Sequence, residues 1–457
     1  LRMLQQQVQE AIDGLVESGA ERGLQVAVYR RGEQVVEATA GVADPETGRP
    51  VAPDTPFYAY STGKGATATV AHVLVERGAF DYETKIAELW PEFGAHGKEA
   101  ATVRHALTHT VGVPGIPAGT TPEDLCDWDG MCAAIADSEP WWEPGTRTAY
   151  HAYTFGYIVG EIVRRSTGKP ISQVLWEDVA EPLGVADELY FGVPESELGR
   201  LARLEDAEGS AEFLAAMPDD SPFFKWGPRA TVPTAEFGNR PDVLMADIPA
   251  GGKTSARAIA RMYAALMDEV NGVRLLTPAR LREVSAAAFS GVDEIMGNPV
   301  SWALGYALGR PGGDPEGPST SFGMGGVGGS YAYADPEIGV AFALTKNRLT
   351  PDFGAAERVA RLVADAIGEG GGSRGESDEP ESDLPDGLGR PARRALVGAG
   401  YSRLDQFASV SEAEVLRLHG MGPKALGRLR RALDARGLSF ADGEASNTAT
   451  EPRKESR

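Results

Sequence analysis

The sequence predicts an α/β (α+β) fold: one antiparallel sheet flanked by terminal helices, with a long helical region inserted, plus a small all-α C-terminal module. Three observations predict it. Apolar residues alternate with period two at both ends of residues 1–367. Between those ends, from 62 to about 285, most periodic segments carry the helical period. A Gly/Ser/acid/Pro-rich stretch then sets off a last helix-forming segment.

Residues 1–20 read as an amphipathic helix. "LRMLQQQVQEAIDGLVESG" lacks the continuous apolar centre and small-residue cleavage site of a signal peptide. "LQVAVYRRGEQVVEATAGVA" alternates around Arg31-Gly32, the pattern of two antiparallel strands joined by a tight turn. Helices are expected at 65–77, 154–166, 171–179 and 255–269, separated by loops such as "TVGVPGIPAGTTPED" and "SEPWWEPGTRTAYH". "SWALGYALG", "GSYAYADP" and "GVAFALTKN" read as three further strands, and "PDFGAAERVARLVADAIG" as a closing helix. This gives a domain at 1–367, a flexible acidic linker at 368–387, a helical module at 388–442 and a disordered tail at 443–457.

The totals exclude some classes. At 457 residues, with 42% hydrophobic and 24% charged residues, the composition is that of a globular protein of more than one unit. No run approaches the length of a membrane-spanning helix. Cys126 and Cys132 are spaced to point apart on a helix, which reads as two free thiols and a cytoplasmic protein. Net charge is −22 but uneven: residues 388–442 carry ten Lys/Arg against five Asp/Glu, and residues 368–387 one Arg against seven acids. An acidic body with a basic appendage suggests two separate jobs.

The stretch "YSTGKGATATVAHVLVERG" poses the chemical question. It is a helix heading into a core, yet Ser61 and Lys64 share one face of its first turn. Two readings fit. In one, Ser61 caps the helix and Lys64 snorkels to solvent. In the other, Lys64 takes the Ser61 proton after burial has lowered its pKa, and backbone N–H groups at the helix start stabilise an oxyanion. Gly63 and Gly65 flank Lys64 and keep this turn slim, letting backbone and substrate approach.

The ordered set "PFYAYSTGKGATATVAHVLVERGAFDYETKIAELWPEF", "VRHALTHTVGVPG", "WEPGTRTAYHAYTFGYIVGEIVRRSTGKPI" and "FGMGGVGGSYAYADPEIGVAFALTKNR" resembles the serine β-lactamase/penicillin-binding-protein-like hydrolases. The nearest look is to the esterase branch of the class C β-lactamase family. The resemblance covers residues 1–367. It implies a nucleophile at Ser61, a proton carrier at Lys64, and a Tyr from a Tyr-x-Asn element at Tyr150. It also places the Lys-Thr-Gly-type strand on Met324, Gly325 and Gly326, and implies an oxyanion hole from the Val327 and Ser61 N–H groups. Tyr150 follows a Pro144-Gly145 turn and precedes a helix. It acts as base toward Ser61 or as acid toward the leaving group, or is a buried structural tyrosine. No cofactor or metal is implied.

Two departures bear on substrate. Ala152 stands where the family has Asn, and Met324 where it has Lys. The lysine would hold a β-lactam carboxylate, so its loss favours an uncharged small-molecule ester or thioester. An acyltransferase using the same acyl-enzyme with an amine or alcohol acceptor, a β-lactamase or D-amino-acid peptidase, and a non-catalytic binding protein are the alternatives. His151 and Trp142 are expected beside the substrate, and Trp128, Trp141, Tyr153 and Phe322 are further candidates for the pocket wall. His105 and His109 have zinc-like spacing but no third ligand, which favours a structural role, with His109 bonding a loop.

Within the appendage, "LHGMGPKALGRLRRAL" resembles a helix-hairpin-helix module. Ser411 and Glu414 form a capping box, and Pro423 opens the second helix. The resemblance implies phosphate contacts from Gly420, Gly422 and Lys424, backed by Arg428, Arg430 and Arg431, and weak non-specific nucleic-acid binding. A protein-contact or stabilising role fits equally.

Overall fold

The computed structural model describes residues 2–313, 319–369, 383–385, 387–418 and 421–441. The described residues up to 369 form one unit and those from 383 another.

The first unit is organised by a nine-stranded sheet whose neighbouring strands run antiparallel. Strands Gly23–Arg30 and Glu33–Asp44 form the expected hairpin. Its turn needs two left-handed residues, and Arg31 (φ 50°) and Gly32 (φ 81°) supply them. Gly23–Arg30 pairs in turn with Val340–Lys346, which closes the two ends of the domain into one sheet. Alternation then sorts the side chains. Leu24, Val26 and Val28 face helices Arg2–Glu17 and Gly354–Glu369 and form one core with them. Ala27 and Tyr29 face the opposite core, to which helix Ala256–Met267 belongs.

The helices over the middle fall where the period places them, at Lys64–Glu76, Thr154–Thr167, Ile171–Leu175 and Ala256–Met267. One strand expectation is corrected. "SWALGYALG" is not a single strand: Pro299–Trp302 and Ala307–Leu308 are separate, joined by a turn through Gly305 at φ 84°. The reversal brings Ala307 opposite Trp302, and all four turn residues from Ala303 to Tyr306 are buried. A turn that is itself buried carries apolar residues, which is what made the segment read as one strand.

The second unit has its own core of Leu396, Phe407, Val415, Leu429 and Leu433. Among the described residues, four helical segments surround it: Arg390–Gly398, Leu404–Ser409, Glu412–Leu416 and Pro423–Asp434. The Ser411–Glu414 capping box and Pro423 at the helix start are both present. Leu384, inside the segment expected as linker, is buried in this core, and Asp383 accepts from the Leu404 N–H. Asp383 and Leu384 are thus part of the described second unit.

Candidate active site

The strand Phe57–Tyr58 leads into a 3₁₀ turn, Tyr60–Gly63, and the α-helix begins only at Lys64. Tyr60 sits at φ 48°, a costly conformation for a residue with a side chain. A second backbone segment holds it there. Gly252 N–H donates to the Tyr60 carbonyl at 3.0 Å, and Ala59 N–H donates to Gly252 at 2.9 Å. The approach is so close that a Cβ on Gly63 would lie 2.0 Å from the Gly252 nitrogen. Gly63 is thus small for backbone packing, and Gly65 for contact with the Tyr263 hydroxyl, which a Cβ would meet at 2.0 Å. Neither glycine is there to admit substrate, as the sequence had suggested.

This turn presents Ser61 to two partners. The Lys64 Nζ lies 3.0 Å from Ser61 Oγ and donates to the Ala152 and Ala250 carbonyls, each at 2.7 Å. The Tyr150 hydroxyl donates to Ser61 Oγ at 2.6 Å. Ser61 makes no helix-capping bond, and Lys64 is fully buried, so the capping and snorkelling reading does not apply. Burial without a carboxylate partner pushes the Lys64 ammonium well below its usual range. Burial pushes the Tyr150 phenol up, so it stays protonated. A deprotonated amine keeps two N–H groups, one for each carbonyl, and a lone pair for the Ser61 hydroxyl proton.

Tyr150 is held from several sides. Asp293 Oδ2 accepts from the Tyr150 N–H at 2.8 Å, and Trp226 Nε1 donates to the Tyr150 carbonyl at 2.7 Å. Its ring stacks against Trp302, with centroids 6.1 Å apart and planes 13° apart. Asp293 Oδ1 also accepts from Ile295 and Met296 at 2.8 Å, so one buried carboxylate organises Tyr150 and the adjoining rim.

The fourth element lies on the interior strand Phe322–Gly325, paired on one side with Tyr331–Asp335 and on the other with Ala307–Leu308, and on the turn after it. Gly326 packs directly on the turn that carries Ser61: a Cβ there would be 2.1 Å from the Ala59 carbonyl oxygen. Thr62 Oγ1 ties the same turn to Ser330 by donating to its carbonyl at 3.0 Å. The Val327 N–H has no backbone hydrogen-bond partner among the described residues, and Val327 borders the cavity above Ser61.

That cavity measures about 320 Å³. Ser61, Tyr150, Ala152 and Val327 line it together with Tyr58, Tyr60, Tyr153, Phe223, Trp226, Val232, Ile248 and Met296. No charged side chain is among its lining residues.

Several expected wall residues lie elsewhere. His151 is buried, with Nε2 accepting from Val113 N–H at 3.2 Å and Nδ1 against the Ala149 carbonyl at 2.6 Å, so both ring nitrogens serve the loop. Trp142 packs with Ala149 and Ile295, and its Nε1 donates to Thr110 at 2.9 Å. Met324 is buried on its strand opposite Ala332 and does not line the cavity, and Gly325 packs against Phe353 and Tyr331. Trp128 donates to Glu161, Trp141 is half exposed against Gly115, and Phe322 is core. Tyr153 alone of those aromatics reaches the cavity. His109 accepts from the His151 N–H at 2.9 Å, the loop role expected of it.

Sequence reasoning missed the segment 222–233, which supplies Phe223, Trp226, Val232 and Pro233 to the wall. Two tyrosines fasten its end: Tyr153 donates to the Thr231 carbonyl, and Tyr60 to the carbonyl of Thr234, the residue that follows the segment. The run "SPFFKWGPRATVP", aromatic and rich in turn residues, was the available signal. In the second unit, Arg430 pairs with Glu412 at 2.7 Å and Arg428 donates to the Gly387 carbonyl. Gly422 and Lys424 flank the start of helix Pro423–Asp434, while Gly420 lies outside the described residues.

The antiparallel sheet with its inserted helices, and a Ser-x-x-Lys turn on an apolar cavity, define a β-lactamase-like serine hydrolase. The Beta-lactamase family model matches residues 8–366, and the chain belongs to that family. It is 37% identical over 340 residues to Esterase/beta-lactamase LipL of Mycobacterium tuberculosis, covering 71% of this chain and 76% of LipL. The crystal structure of a family VIII carboxylesterase matches with a TM-score of 0.69 at 32% identity, over 78% of this chain and 97% of that one. A penicillin-binding protein homolog from Caulobacter crescentus matches with a TM-score of 0.68 at 34% identity, over 79% of this chain and 96% of that one. Within the family the chain is carboxylesterase-like. The family match ends short of the C-terminal module.

Proposed function

We propose that the protein hydrolyses uncharged carboxylic esters or thioesters through an acyl-enzyme on Ser61. Neutral Lys64 takes the Ser61 proton as Oγ attacks the carbonyl carbon. The Ser61 and Val327 N–H groups receive the oxyanion. The C–O or C–S bond breaks, Tyr150 gives its proton to the leaving group, and Lys64 returns a proton to Tyr150. Water then repeats the sequence on the acyl-enzyme, releasing the acid and restoring Ser61.

The observation that carries this reading is the contact of Ser61 Oγ with both Lys64 and Tyr150 at the floor of a cavity without charged side chains. β-Lactams and D-amino-acid peptides present a carboxylate, and this wall offers it no cation. A fluorophosphonate probe with mass spectrometry tests the reading, alongside turnover of p-nitrophenyl esters. Labelling at Ser61 that disappears in Ser61→Ala supports it. Absence of both labelling and turnover would sink it.

A further inference from the structure

The cavity wall carries few polar side-chain groups, and nearly all are spoken for within the protein. Tyr60 and Tyr153 donate to the Thr234 and Thr231 carbonyls. Thr231 Oγ1 donates to Pro228 at 2.7 Å, and Trp226 Nε1 to Tyr150 at 2.7 Å. Ser61 and Tyr150 bond each other. Tyr58 is the exception. It lines the cavity, is 3% exposed, and its hydroxyl has no hydrogen-bond partner among the described residues. Other buried orphan atoms in this unit, such as His109 Nε2, are sealed from any space, but the Tyr58 oxygen is not among those sealed atoms.

The ring cannot swing away to find a partner. It stacks on Tyr60 with centroids 4.1 Å apart and planes 23° apart, and the Lys253 Nζ sits 4.7 Å from its centroid. Its strand is paired with Lys253-Thr254 on the segment that also supports the nucleophile turn. A ligand that fills the cavity excludes water from this hydroxyl, and unless the ligand supplies an acceptor the hydroxyl is left without a partner at a cost in free energy. Sites built this way discriminate strongly against analogues lacking the matching atom.

We infer that Tyr58 is a specificity-determining residue, and that its hydroxyl binds an oxygen atom on the acyl chain of the substrate. The favoured substrates are then esters of oxygenated acids, with a hydroxyl, ether or keto oxygen along an otherwise apolar chain. This rests on the ester-hydrolase reading above. Tyr58 does not touch the reacting atoms in this assignment; it holds the far part of the acyl group.

The test uses the full chain and a matched series of p-nitrophenyl esters. One member has a plain alkanoyl chain, and the others carry an ether oxygen or a hydroxyl at successive positions. The quantity read is the ratio of kcat/KM for each oxygenated ester to that for the plain ester. It is compared between the wild type and Tyr58→Phe, which cancels intrinsic reactivity and any general loss. The expected result is a fall of about tenfold in that ratio for at least one position. Ser61 labelling by the fluorophosphonate is measured on the same preparations. Labelling with ratios unchanged at every position overturns the Tyr58 assignment alone. No labelling and no turnover overturns the ester-hydrolase reading and the assignment with it.

Discussion

The Tyr150 hydroxyl donates to Ser61 Oγ at 2.6 Å, and Lys64 Nζ meets the same oxygen at 3.0 Å. Burial acts on the two partners in opposite senses. It favours the neutral form of each, the phenol with its proton and the amine without. One becomes a donor and the other an acceptor, which separates their tasks.

If Tyr150 is the acid, its value depends on the leaving group. Tyr150→Phe should cost about 100- to 10,000-fold in kcat on esters of ordinary alcohols. The cost should be much smaller on p-nitrophenyl esters, whose leaving group needs no proton. A leaving-group series on both proteins measures this.

Lys64 must be unprotonated to act as base. Activity should rise with pH through a midpoint well below the usual lysine range and stay high above it. Lys64→Arg carries a permanent charge and should lose about 100-fold or more at every pH. A pH profile of kcat/KM on both proteins, with recovery of Lys64→Arg at high pH as the contrary outcome, decides.

Lys253 gives a stability prediction. Burial lowers its folded-state pKa from 10.5 to about 7. Between those values the unfolded chain binds the proton and the folded one does not, so stability rises with pH across that window. The slope from this group is up to about 1.4 kcal/mol per pH unit. Thermal unfolding of Lys253→Met should show a flatter pH dependence from neutral to alkaline pH than the wild type.

Asp293 positions Tyr150 and Met296 without reaching Ser61. Asp293→Ala leaves three backbone N–H groups without their acceptor and frees the tyrosine. The loss in kcat should be on the order of 100-fold for poor leaving groups. It should shrink with better leaving groups, as for Tyr150→Phe. A purely structural role would lower all substrates equally.

Gly326 admits no side chain. In Gly326→Ala the new Cβ would collide with the Ala59 carbonyl oxygen, so the turn that carries Ser61 must move. Stability should fall by about 2 kcal/mol, and fluorophosphonate labelling of Ser61 should slow. Denaturant melts and labelling rates report the two effects.

Much of the fold was legible because periodicity is a local signal. The helices Lys64–Glu76 and Thr154–Thr167 and the first hairpin lie where apolar spacing puts them. The split at Ala303–Tyr306 was not, because a buried turn is built of apolar residues and lacks the polar signal that marks an exposed one. The Ser61–Lys64 relation was readable from a three-residue spacing on one turn. Trp142 and His151 were misplaced for the opposite reason: adjacency to Tyr150 in sequence says nothing about which way a loop side chain points.

The sequence by itself determined the main helices, the first hairpin and the closeness of Ser61 and Lys64, since these depend on contacts a few residues apart. Only the tertiary structure decided the rest. It put Tyr150 on Ser61 across 89 positions of chain and built a wall from segment 222–233. It also left the Tyr58 hydroxyl without a partner. The physical reason is common to all three. Which polar groups are satisfied and which are left open is settled by long-range packing, and one chain's local pattern cannot count partners that arrive from elsewhere in it.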